Sequence, residues 1–197
     1  NDLVTQPVAQ LNGMIKSFRY GKLRYGDLYI KSDWDDRKKQ LLLGVSLALD
    51  ADTLLGIKGS YTPSNKQSPL IFSLATNNLR LKLIEPFVKD ILYDIRGSVF
   101  IDRLKITGKL DEPIVKGEGF FKNISFGVHY FKTKYAFNGT VGIDEDEILF
   151  PSLTLYDQQI PDGKKVASPG HVKLTGSIYH SYFRKFRLNL NLTEINN

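Results

Sequence analysis

The chain has no cysteine, one methionine, one tryptophan and three histidines in 197 residues. Without cysteine there are no disulfides and no thiolate metal sites, an absence that says little about compartment. The histidines, His129, His171 and His180, lie far apart in no ligand-like spacing. No glycine-rich phosphate loop leads from a strand into a helix. No apolar run approaches the roughly 20 residues of a membrane-spanning helix, and no basic-then-apolar leader follows Asn1-Asp2-Leu3. The acidic run Asp144-Glu145-Asp146-Glu147 lacks the alternation and the glycine of a calcium loop and reads as a solvated hairpin turn. Carboxylates are scattered, so no pair identifies a glycosidase. Asn-x-Ser/Thr triplets at Asn123, Asn138 and Asn191 are weak matches. These gaps predict a protein with no enzymatic activity, no cofactor and no metal.

What is present is alternation. Leu41, Leu43, Val45, Leu47 and Leu49 share one parity, against Leu42, Gly44, Ser46, Ala48 and Asp50. The same holds for Leu55, Ile57, Gly59 and Tyr61, and for Tyr135, Phe137, Gly139, Val141 and Ile143. Period two means that each strand buries one face and wets the other, as antiparallel sheets do. An apolar face is renewed in strand after strand, while no second layer is supplied. Such a surface must be covered by a second sheet, by its own curl, or by a ligand.

Length and charge bound the rest. At 197 residues, one domain with a real core is expected over 1–197. The net charge of +6 raises nucleic acid or an anionic membrane surface as partners. The basic residues, however, are dispersed among acids, as in Asp35-Asp36-Arg37-Lys38-Lys39, and Arg184-Lys185-Phe186-Arg187 is the densest patch. Charges on exposed strands discourage edge-to-edge pairing, so no nucleic-acid partner is expected. Asn189-Leu190-Asn191-Leu192-Thr193 still alternates where the chain stops, which reads as a piece of a longer protein.

About ten to twelve strands are expected. Residues 1–12 are weakly patterned and fit a helix or a loose strand. Strands follow over about 14–20, 23–34, 39–50, 53–62 and 69–76, and again over 98–109, 114–126, 128–143, 147–157, 171–179 and 185–194. One helix is predicted over 85–95, with Pro86 in its first turn and Phe87, Val88, Ile91, Leu92 and Ile95 on one stripe, capping the sheet. Glycines inside the strands suggest bulges and hard bending. Residues 158–170, with Pro161, Asp162-Gly163 and Pro169-Gly170, read as a long loop.

The motifs also follow one another in a recognisable order. LRLKLIEPF at 79–87 leads to GSVFI at 97–101 and GKLDEPIVKG at 108–117. Then come YFKTKY at 130–135, ILFPSL at 148–153 with Tyr156-Asp157, and GSIYH at 176–180 with Phe183. Each alone is ordinary strand grammar. In this order and spacing, over roughly residues 22–193, they resemble the C-terminal part of TamB-like proteins, of the AsmA-like group of Gram-negative envelope proteins, and look most like the Bacteroidetes versions. The insert around Gln158–Pro169 departs from the short turn that the resemblance leads one to expect.

The resemblance implies an elongated, curved antiparallel sheet folded lengthwise into a β-taco with an apolar inner groove. It implies a periplasmic module of a chain anchored in the inner membrane, linked to outer-membrane biogenesis and to phospholipid transport between the two membranes. Acyl chains of phospholipids would then be the partner, lining up on Leu43, Val45, Leu47, Ile57, Phe137, Val141, Leu174 and Leu188. Two other readings stay open. One is an assembly module that takes an outer-membrane protein, or a barrel-assembly partner, by strand addition. The other is a carbohydrate-binding β-sandwich using Tyr25, Tyr29, Tyr61 and Trp34.

Overall fold

The computed structural model describes residues 10–50, 52–130, 133–157 and 171–194. The loop expected over 158–170, including the insert at Gln158–Pro169, lies outside the described residues, as do positions 1–9. Five strands come first: β1 (Leu11–Tyr20), β2 (Leu23–Asp35), β3 (Gln40–Leu49), β4 (Asp52–Tyr61) and β5 (Leu70–Arg80). A 3-10 turn (Leu81–Ile84) and the one-turn helix α1 (Glu85–Val88) follow. The remaining strands are β6 (Leu92–Gly108), β7 (Pro113–Val128), β8 (Thr133–Ile143), β9 (Glu147–Asp157), β10 (His171–Ser181) and β11 (Arg184–Glu194). All eleven form one antiparallel sheet in strict sequence order, with β1 and β11 as its terminal strands. The all-β expectation holds.

Short turns make this order. Between β2 and β3 the Asp35 carboxylate accepts the N–H groups of Arg37 at 3.0 Å and Lys38 at 3.1 Å. That is the local hydrogen bonding that makes aspartate a turn former. Between β4 and β5 the Thr62 N–H donates to the Pro69 carbonyl at 2.8 Å, and Asn65 closes the loop through Ser68. Register then follows without a slip from Asp27–Ala48 to Asp35–Gln40.

The chain divides into two compact units: Asn1–Asn77 with Ile101–Gly117, and Asn78–Phe100 with Glu118–Asn197. In the second, Leu153 is 2% exposed and packs with Val141 and Leu174. Phe121, Phe137, Ile148, Phe150 and Leu155 surround this cluster. Gly176 shows how the strands bend there. It sits at a register shift between Leu174 and itself on the β9 side, at φ +123°, and a Cβ would strike the Asn189 carbonyl. Only glycine satisfies both demands.

The predicted helix over 85–95 is corrected. Helix α1 is a single turn ending at Val88, and the Ile91 N–H closes it with a hydrogen bond to the Val88 carbonyl. Phe87 and Ile91 are 71% and 64% exposed, so neither is buried against the sheet. Val88 is half-buried, and Leu92 already belongs to β6. The helix has no side-chain N-cap, and so short a segment cannot offset its own nucleation. The predicted stripe is split, because Leu92 and Ile95 belong to β6, where Ile95 is 2% exposed. Just before Ile95, Asp94 adopts left-handed backbone at φ 52°.

Candidate functional site

In the first unit the register lines apolar residues into rows that cross the strands. Residues directly opposite in a ladder share a face. One row runs Gly13–Ile30–Val45–Ile57–Leu74. The next runs Ile15–Leu28–Leu47–Leu55–Thr76, and a third Leu11–Ser32–Leu43–Gly59–Phe72. Most of these side chains are half-buried, and Leu47 is nearly closed off at 6%. The opposite face of the same strands mixes small and basic residues with the exposed Met14, Tyr29, Leu42 and Ile71. Gly44, Ser46, Gly56 and Ser73 floor a shallow depression of about 420 Å3 flanked by Lys31 and Lys58.

The second unit repeats the device. Phe137–Leu155–Val172 forms one row, Leu153–Leu174–Leu192 the next. Phe150–Gly176–Leu190 and Ile148–Ile178–Leu188 continue it. On β9 the inward parity changes from odd to even between Leu153 and Phe150, because Pro151 and Ser152 together oppose Thr175 alone. This bulge keeps the face apolar past the proline, which cannot donate to the ladder.

The expected lining residues fall on these faces. Leu43, Val45, Leu47 and Ile57 lie on paired strands of the first unit, with Val45 opposite Ile57. Phe137, Val141 and Leu174 meet in the buried cluster of the second. Leu188 ends its row on the terminal strand and is 65% exposed. Sequence reasoning missed Leu153, the most buried of the set, and its neighbours Phe121 and Phe150. The signal was Pro151, since a proline inside a strand pattern marks a bulge where the alternation changes parity.

Charge is kept off these rows. Asp94 accepts from Lys134 at 2.9 Å and from Arg96 at 2.9 Å, and these bonds, Lys134 first, hold its carboxyl below the usual range. Asp35 is lowered likewise, chiefly by the Lys38 N–H in the β2–β3 turn. Lys82 pairs with Glu85 beside α1. Among the described residues no group of three or more His, Asp or Glu side chains is placed to hold a metal ion. No protein-family model, curated protein or solved structure matches the chain.

Proposed function

We propose that this chain is a non-enzymatic module whose apolar face holds phospholipid acyl chains, as part of lipid transport between the inner and outer membranes. One observation carries the reading. In each unit the strand register joins apolar side chains into continuous rows, as in Gly13–Ile30–Val45–Ile57–Leu74, and most of that row is only half-buried. Acyl chains need no more than this, at about 0.8 kcal/mol for each methylene removed from water. The sequence resemblance to TamB-like envelope proteins supports a β-taco architecture, a periplasmic location and an inner-membrane anchor on the parent chain. The test is native mass spectrometry of the chain purified from a Gram-negative bacterium. Phospholipid masses should ride on the protein and disappear when Ile57→Lys puts a charge in the row. A clean unliganded mass for the unaltered chain would overturn the reading.

A second reading has its own observation. Among the described residues β11 is paired on one side only, to β10, and Leu188, Leu190 and Leu192 on it are 65%, 37% and 65% exposed. An open edge with an alternating apolar row is what strand addition uses. An outer-membrane protein or a barrel-assembly partner would be the strand added. Crosslinking from a photoreactive residue at Leu190 to an outer-membrane protein, with no lipid adduct at Ile57, would favour it.

A further inference from the structure

Apart from the apolar face, the β10–β11 turn holds a polar cluster around His180. Three non-glycine residues there adopt left-handed backbone: Tyr182 at φ 49°, Phe183 at 59° and Lys185 at 52°. This conformation disfavours any residue with a Cβ. In return it brings the Phe183 N–H to Nδ1 of His180 at 3.3 Å and stacks the Phe183 ring on the imidazole at 4.3 Å. The His180 main-chain N–H donates to the Asp146 carbonyl at 2.7 Å, and the residue is 5% exposed. With Nδ1 accepting, the proton of the neutral ring sits on Nε2. That Nε2 is buried and has no hydrogen-bond partner in the protein, a condition native structures rarely leave unanswered.

Beside the ring lies a depression of about 330 Å3 walled by Asp146, Tyr179, His180, Ser181, Lys185 and Arg187. The Arg187 guanidinium carbon is 5.0 Å from the centroid of the Tyr179 ring, its partner across the ladder. Stacking of this kind fixes the guanidinium plane and leaves its N–H edge free for an oxyanion. Among the described residues neither Lys185 nor Arg187 is ion-paired. We propose that this pocket binds a phosphate group, through the Arg187 fork, the Lys185 ammonium and the Ser181 hydroxyl, beside the buried His180 ring. A tetrahedral oxyanion offers acceptors enough for all three donor groups. Asp146 is the one acidic wall residue, and its repulsion weakens the site without removing it.

Inorganic phosphate and, separately, dihexanoyl phosphatidylglycerol below its micelle concentration would be titrated onto the 197-residue chain at fixed ionic strength. Binding would be read by calorimetry and by the imidazole resonances of His180. The expected result is saturable binding that shifts the His180 ring signals. It should weaken about tenfold for each of Lys185→Gln and Arg187→Gln, as removal of a charged hydrogen bond does. Asp146→Asn should tighten it, and Lys122→Gln, an exposed lysine on β7, should leave it unchanged. Tighter binding of the lipid than of phosphate assigns a lipid headgroup as the source, and equal binding assigns free phosphate. Absence of saturation with both probes, or binding unaltered by the two β11 variants, would overturn the proposal. Because inorganic phosphate has no acyl chain, this result stands or falls apart from the acyl-chain reading.

Discussion

Leu153→Ala tests whether the rows of the second unit are packed interior or an open gutter. Leu153, Leu174 and Leu192 lie in one row on successive strands, and their exposures are 2%, 9% and 65%. Truncating leucine to alanine removes about three methylene equivalents, or about 2.5 kcal/mol of transfer free energy at full burial. Where neighbours cannot collapse into the gap a cavity contribution adds to this, and buried leucines lose about 3–5 kcal/mol in all. Leu153 is ringed by Val141, Leu174, Phe137, Phe150 and Leu155, so a loss of about 3 kcal/mol is expected. Leu192→Ala, in the same row but mostly wet, should lose less than about 1 kcal/mol. Urea unfolding followed by far-ultraviolet circular dichroism gives both values from the midpoint at constant slope. Equal losses at the two positions, or a loss under about 1 kcal/mol at Leu153, would refute the gradient and with it the packed cluster.

Three further outcomes are expected from the same structure. Ile91→Asp should leave the melting temperature nearly unchanged, because Ile91 is 64% exposed; Ile95→Asp, at 2% exposure, should lower it sharply, by the several kcal/mol of a buried unpaired charge. Gly176→Val should destabilise by about 2 kcal/mol or more, since it combines a left-handed backbone with a clash against the Asn189 carbonyl, and an unchanged thermal midpoint would contradict the bulge. Asp94→Asn should reduce stability at neutral pH and converge with the parent chain in acid. The Lys134 and Arg96 bonds depress the folded carboxyl below its unfolded value, so their contribution is complete above the unfolded pKa and fades as pH falls through the folded one. Melting curves that stay parallel across that acid range would show that the pairs contribute nothing.

Much of the fold was legible in the alternation alone. The strand containing Leu41 to Leu49 and the one containing Leu55 to Tyr61 sit within a residue or two of where their patterns place them, as β3 and β4. The reason is that period two has one structural solution when the residues are β-branched, leucine or aromatic and the breaks are Asp, Asn, Pro or Gly. The helix was the failure. Over 85–95 the apolar spacing suits a helical stripe, yet the chain makes one turn and enters β6 at Leu92, and a sequence has no means of placing that change when the segment is short.

The sequence by itself determined most of the strand positions and the alternating polarity within each unbroken stretch of strand. These are local properties, set by side-chain alternation and turn chemistry within a few residues. Only the tertiary structure decided which strand stands beside which, and so which side chains meet. It put Val45 against Ile57, gathered Phe137, Val141 and Leu174 around Leu153, and left Leu188 wet at the terminal strand. It also enclosed His180 beneath Phe183 and set the Arg187 guanidinium over Tyr179. Register depends on bulges such as the one at Pro151–Ser152, where one extra residue exchanges the two faces of a strand. A parity change of that kind is fixed by hydrogen bonding to the neighbouring strand, which the linear pattern of a single strand does not contain.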